Sequence, residues 1–298
     1  MYRMKWDENV DVFILVIAHP DDESMFFCPT IQNILQADPS HYSRFHIICL
    51  SNGDYNHLGH IREKELVKAA HIILGIPRQN IHVINDLKNM PDDPKVSWDS
   101  DIVADTVESF LNTICSKHKM TNIHMTASIS NSLDAIKESL NVMLFTFDSG
   151  GVSGHSNHTD TWKGIEHLIS RSKLMEQQNK HRKEFNGNYT HVHVRAYQLQ
   201  TIYFPIRKYF PPLDGCIVWL QYLYFLFYEN SNPSKKCFFS FAFRPFMVWN
   251  AMKAHNSQFV WYRKLSVLWS RYTYVNTWTE MGSAYLCTDG TRHMKKLK

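Results

Sequence analysis

The sequence predicts an α/β fold, a Rossmann-like, mostly parallel sheet with helices on both faces. Two observations predict it. Short apolar runs of strand length alternate with stretches of helical periodicity through the first part of the chain, the signature of parallel βαβ units. The residues able to do chemistry then follow such runs directly, at the carboxyl ends of strands where open α/β sheets bind their ligands.

The elements read in order as follows. "VFILVIA" at 12–18 is a strand, a continuous β-branched and aromatic run of the kind buried on both faces. A helix is expected over 24–36, a strand over 45–51 ("FHIICLS"), a helix over 61–74 and a strand over 80–85 ("NIHVIN"). Next come a helix over 102–118, a strand over 142–147 ("VMLFTF") and a helix over 158–172. The polar stretch from Lys173 reads as a loop, and residues 193–200 as a further strand. The apolar run at 217–228 has 12 residues, fewer than the ~20 needed to cross a bilayer, and reads as a core helix or an element lying on a membrane surface. "TIYFPIRKYFPP" from Thr201 and "FVWYRKLSVLWSRYTY" from Phe259 mix aromatic with basic residues, which suits a headgroup-level surface or an aromatic core layer equally. One domain over 1–298 is expected, with 10–175 as the α/β core that holds the site and 190–298 as its aromatic-rich completion.

Composition narrows the function classes. With 298 residues, 44% hydrophobic and 13% aromatic, the chain has ample material for a large core. A formal net charge of +4 with dispersed Lys and Arg lacks the footprint of a nucleic-acid binder, so nucleic acid is not expected as a partner. Six widely spaced cysteines without a CxxC argue against a thiolate metal site or a disulfide framework and suit a reducing compartment. The first 20 residues read as neither signal peptide nor membrane span.

The motif after the first strand is "HPDDE", His19 to Glu23. Three adjacent acids repel one another and are costly to bury unpaired, so a positive partner is expected among them. The loop after the fourth strand, "DSGGVSGHSNH", brings His155 and His158, three apart as are His19 and Asp22. A bound cation answers the repulsion. Three protein ligands of mixed His and carboxylate type, with one position open to water, are the pattern of a catalytic zinc site, and a carboxylate left over can take a proton from that water.

"AHPDDESMFF" and "TFDSGGVSGHSNH", with "REKELVKAAHIILGIP" from Arg62, "MPDDP" from Met90 and "WYRKLSVLWSRYTYVN" from Trp261, resemble the LmbE-like (PIG-L) zinc de-N-acetylases over nearly the whole chain. The resemblance implies that His19, Asp22 and His158 hold Zn2+, that Asp21 is the general base, and that His155 steadies the oxyanion. It assigns Arg62 and Asp86 to substrate, although a capping or turn role is as ordinary a use for Asp86, and an isolated Arg such as Arg62 is more often a solvated or ion-paired side chain. Glu23 is expected to orient the metal ligands through hydrogen bonds. "NMPDDP" is read as a structural turn, because Pro91 and Pro94 shape it and no histidine accompanies it. His and carboxylate donors also suit iron(II) or manganese.

The activity implied is removal of acetate from N-acetylglucosaminylphosphatidylinositol, a glycosylphosphatidylinositol (GPI) precursor. The implied place is the cytoplasmic face of the endoplasmic reticulum membrane, with peripheral or interfacial attachment. A soluble GlcNAc conjugate as substrate and a catalytically silent glycolipid-binding relative are the alternatives. Residues 125–140 lengthen the connection before the fourth strand relative to the family, as a surface helix or as a displacement of the strand that carries His155 and His158.

Overall fold

The computed structural model describes residues 9–127, 139–181, 190–228, 237–242 and 244–288. Its centre is a seven-stranded sheet in the order β3-β2-β1-β4-β5-β7-β6. The strands are β1 (Val12–Ile17), β2 (Phe45–Cys49), β3 (Ile81–Val83), β4 (Ser139–Phe147), β5 (Thr190–Leu199), β6 (Cys237–Phe241) and β7 (Val275–Thr288). The first five are mutually parallel, with Leu15 opposite Ile47 on one side and Leu144 opposite Ile14 on the other. β7 runs antiparallel to both β5 and β6. Every residue of β1 is buried, as its unbroken apolar run requires of a central parallel strand.

Eleven α-helical segments occur among the described residues: α1 (Asp22–Met25), α2 (Cys28–Ala37), α3 (His41–Arg44), α4 (Gly59–Val67), α5 (Ser100–Ala127), α6 (Gly151–Gly154), α7 (Ser156–His181), α8 (Pro205–Tyr209), α9 (Pro211–Tyr228), α10 (Pro245–Ala254) and α11 (Trp261–Trp269). The helix expected over 24–36 is broken at Phe26 and Phe27, and Pro29 stands near the start of α2, where its missing N–H costs nothing. The helix expected over 61–74 is α4 continued by a π-helical turn, Lys68–Ile73, which packs against α10. The helix expected to end at Ser172 runs on to His181, so its polar tail is helix and not loop. Of the stretch at 125–140, residues 128–138 lie outside the described residues.

The connections leave β1 toward β2 and β3, and leave β4 toward β5, in opposite directions across the sheet. With right-handed crossovers this puts helices on opposite faces and opens a crevice between the carboxyl ends of β1 and β4. α5 and α7 pack together on one face, while α2 meets β6, β7 and α10.

The C-terminal strand is tied into this core. Asn276 Nδ2 donates to the Phe26 carbonyl at 2.8 Å, and Trp278 Nε1 donates to Thr30 Oγ1 at 2.8 Å. The Trp278 ring lies between Phe27 and Phe145, with centroids 5.9 and 5.0 Å away. These contacts hold the turn after β1 in place, because only two residues separate Phe26 and Phe27 from the acidic motif.

Candidate metal centre and active site

Both motif loops open into the crevice between β1 and β4. Asp22 starts α1, and its Oδ2 accepts backbone N–H bonds from Ala18 at 3.1 Å and His19 at 2.8 Å. That leaves Oδ1 turned toward His158 Nε2 at 3.2 Å. His158 stands in the first turn of α7. Its Nδ1 donates to the Gly151 carbonyl at 2.9 Å, and its ring stacks on Phe147, the last residue of β4, at 4.2 Å between centroids. Gly151, at φ +58°, brings its backbone so close that an added Cβ would sit 2.9 Å from His158 Cβ.

His19 closes the group. Its Nδ1 lies 3.9 Å from Asp22 Oδ2, while Nε2 faces Asp92 Oδ1 at 3.0 Å with the Asn157 amide also at 3.0 Å. Burial alone would raise the Asp92 carboxyl, but the bond and charge of His19, with Arg62, outweigh it and hold Asp92 low and ionised. An ionised carboxylate only accepts, so the Asp92 contact favours a proton on His19 Nε2 and leaves Nδ1, on the Asp22 side of the ring, as the nitrogen outside that bond. His155, between α6 and α7, brings a third imidazole whose centroid is 4.9 Å from that of His19. Donor atoms of His19, His155 and His158 fall within 4.8 Å of one another.

This donor set fits a divalent cation. Tetrahedral ligands at zinc–nitrogen distances of 2.0–2.1 Å stand about 3.4 Å apart, close to the separation of His158 Nε2 from Asp22 Oδ1, 3.2 Å. The outer nitrogens of His19 and His158 are each held by a carboxylate or carbonyl, as metal-ligating imidazoles require. His155 Nδ1 is buried without a hydrogen-bond partner. Burial, with the two neighbouring imidazoles, pushes His155 down to about 4, so it is neutral near pH 7. For Asp22, burial acts upward, but His158 and His19 outweigh it and hold the carboxyl well below the usual range.

Asp21 sits beside this group in a strained conformation, φ 122° and ψ −20°, outside the regions open to most L residues. Its N–H donates to Glu23 Oε2 at 3.1 Å, its Oδ2 accepts from Arg263 Nη1 of α11, and its Oδ1 lies 3.7 Å from Arg62 Nη2. Glu23, fully buried, is bound by His255 Nε2 at 2.6 Å and by Ser24 Oγ at 2.5 Å.

Arg62 is an internal strut. It donates to the Pro20 and Gly53 carbonyls, both at 2.9 Å, and to Asp92 Oδ2 at 3.3 Å. Gly53, at φ +76°, is required there, since an added Cβ would stand 2.4 Å from the guanidinium carbon. Asp86 is engaged in its own turn, accepting from the N–H groups of Lys88 and Asn89 and from the Asn89 amide.

The structure thus gathers His19, Asp21, Asp22, His155, His158 and Arg62, and gives Asp86 no contact with them among its described bonds. It corrects the reading of "NMPDDP" as a mere turn: a histidine does accompany Asp92, contributed by β1's loop and distant in sequence. Arg263, His255 and Asn157 were likewise not singled out. The signal for Asn157 was its place inside "GHSNH"; for Arg263 and His255, more than 230 residues from their partners, no local spacing could serve.

The family model described as "PIG-L: GlcNAc-PI de-N-acetylase" matches residues 14–169. A probable N-acetylglucosaminyl-phosphatidylinositol de-N-acetylase of Dictyostelium discoideum is 31% identical over 90% of this chain and 92% of its own length. The N-acetylglucosaminyl-phosphatidylinositol de-N-acetylase of Bos taurus is 31% identical over 89% of this chain and 81% of its own. Among solved structures, an N,N'-diacetylchitobiose deacetylase from Pyrococcus horikoshii is similar with a TM-score of 0.43 at 15% identity, covering 94% of this chain and 85% of that one.

Proposed function

The chain belongs to the PIG-L family of GlcNAc-PI de-N-acetylases, and from that membership we propose that it hydrolyses the acetamide of N-acetylglucosaminylphosphatidylinositol, a step in GPI-anchor biosynthesis. The products are acetate and glucosaminylphosphatidylinositol. The observation that carries this reading is the meeting of Asp22 and His158, from the two motif loops, at 3.2 Å beside His19, with Asp21 next to them.

His19 Nδ1, Asp22 Oδ1 and His158 Nε2 would hold the metal, and Zn2+ is the ion proposed. Such a cation supplies Lewis acidity toward the acetamide oxygen and lowers the pKa of water. The chain's own groups do the rest. Asp21 takes the proton from the attacking water, aimed by Arg263 and Arg62, which hold one carboxylate oxygen each. His155, neutral and facing the same space, donates a hydrogen bond to the oxyanion of the tetrahedral intermediate. The C–N bond then breaks, and Asp21 returns to the departing amine the proton it took from the water, since a neutral His155 holds no acidic proton to give. Asp92 keeps His19 in its working tautomer, and Glu23 with His255 braces the Asp21 backbone. Asp86 is the proposed contact to the substrate's sugar. Arg62, proposed from the motif as a substrate residue, serves the substrate through Asp21 and Asp92, which its buried guanidinium holds.

The reading includes a single working unit over 1–298 and a peripheral place at the cytoplasmic face of the endoplasmic reticulum membrane. No helix among the described residues is long and apolar enough to cross a membrane. The test is incubation of the purified chain with detergent-dispersed GlcNAc-PI and, in parallel, a water-soluble GlcNAc conjugate. Stoichiometric acetate and glucosaminylphosphatidylinositol from the lipid support the reading. Acetate from the soluble compound alone would transfer the activity to soluble conjugates, and none from either would leave a silent relative.

A further inference from the structure

The helices that close the site also expose an apolar surface that the reaction itself does not use. On α11, Trp261, Tyr262, Leu265, Leu268 and Trp269 are 72, 56, 49, 47 and 51% exposed, while Val267 points into the core. On and before α8, Tyr203 and Phe204 are 77 and 57% exposed, and Tyr209 is 48% exposed. The two helices touch, and Tyr209 with Tyr262, Leu265, Ser266 and Trp269 lines one cleft between them. So much clustered aromatic surface on a water-soluble face marks an interaction site.

We propose that this α8–α11 face is a membrane-docking surface that seats the enzyme on a phospholipid bilayer with the mouth of the active site at headgroup level. Three observations select a bilayer as the occupant. The first is residue type: Trp and Tyr dominate the face, and these amphipathic rings settle at the boundary between headgroups and acyl chains. The second is charge. No acidic residue interrupts "PIRKY" of α8 or "WYRKLSVLW" of α11. Although Arg207, Lys208 and Arg263 turn to Asp214, the Val152 carbonyl and Asp21, the exposed Lys264 among the rings faces outward with a charge that suits anionic headgroups.

The third is continuity with the site. Lys208 of α8 donates to the Val152 carbonyl at 2.6 Å, in the loop that carries His155 and His158, and Arg263 of α11 binds Asp21. The same two helices therefore contact both motif loops. This argument rests on the function proposed above, for a glycolipid must bring its sugar to Asp21 while its acyl chains stay in the bilayer, and a docking face beside the crevice meets both demands.

The experiment uses the full chain with its metal bound and vesicles of phosphatidylcholine with or without phosphatidylinositol. Co-sedimentation is measured for wild type, for the double variant Trp261→Glu, Trp269→Glu, and for Ile72→Glu, a control at another exposed apolar position. Melting temperature confirms that each variant is folded, and acetate release is measured from GlcNAc-PI in vesicles and in detergent micelles. The expected result is wild-type binding that strengthens with phosphatidylinositol, lost on the order of tenfold or more in the double variant as two aromatic side chains forgo burial, and unchanged in Ile72→Glu. Activity on vesicles should fall in parallel while activity in micelles stays.

Equal vesicle binding by wild type and the double variant would overturn the docking surface, as would a self-associating wild type that the double variant converts to monomer without change in lipid binding. Failure of the catalytic reading looks different: no acetate in micelles even from wild type. Because vesicle binding is read without turnover, the two failures are separable.

Discussion

Asp92 Oδ1 lies 3.0 Å from His19 Nε2, and its other oxygen lies 3.3 Å from Arg62. The carboxylate is thus the outer partner of the imidazole proposed to ligate the metal and is itself held by a buried guanidinium. Partners of this kind are worth about 10–100-fold in metal affinity. Asp92→Asn should therefore weaken zinc binding by about that factor in a competition titration with a chromogenic chelator, without abolishing it. Unchanged affinity would show that Asp92 only fills space.

The proposed ligand set makes a stronger demand. His19→Ala, Asp22→Ala and His158→Ala each remove one of three protein donors, so each should lose metal and acetate release together, whereas His155→Ala should keep stoichiometric metal and lose about 10²–10³ in turnover by leaving the oxyanion without its donor. Elemental analysis of the purified variants separates the two classes. Metal retained in all of the first three, or lost in His155→Ala, would redraw the site.

Much of this was legible in the sequence, for reasons that can be stated residue by residue. "VFILVI" is apolar on every side, so it reads as a central strand, and β1 is fully buried. The position of "HPDDE" after it and of "GHSNH" after β4 places both loops on one rim by the rules of parallel sheets alone. β6 and β7 were not expected, since an antiparallel edge buries one face and "VNTWTEMGSAYLCT" mixes polar residues and Gly282 into its apolar pattern. The helix break at Phe26–Phe27 comes from tertiary packing: both rings turn inward, onto Phe147 and Trp278, where a continuous helix would have separated them. Asp92, His255 and Arg263 are meaningful only through partners distant in sequence, which no window of residues contains.

The Glu23–His255 pair gives stability a pH dependence. Burial would lower His255, but the charge and hydrogen bond of Glu23, with Asp21 and Glu65 nearby, outweigh it and raise the imidazole above its ordinary 6.5. A group whose folded pKa is raised contributes stability that is fully present below the unfolded value and is lost as pH rises through the folded one. The urea midpoint of the wild type should accordingly decline as pH climbs above about 6.5. The decline should flatten in the double variant Glu23→Gln, His255→Gln, which replaces the ion pair with a neutral one. A decline of equal slope in both would assign it to other groups.

The central claim is that Asp21 is a base and not a ligand. Its neighbours, His19 and Asp22, point at the proposed metal, while the strained backbone at φ 122° and the pull of Arg263 turn the Asp21 carboxylate aside. Asn preserves the shape of Asp and removes the base. The measurement is the turnover of Asp21→Asn on GlcNAc-PI at metal content matched to wild type. General-base catalysis is worth about 10²–10⁴-fold, and a fall of that size with stoichiometric metal is the result predicted; wild-type turnover, or a variant that no longer binds metal, would contradict it.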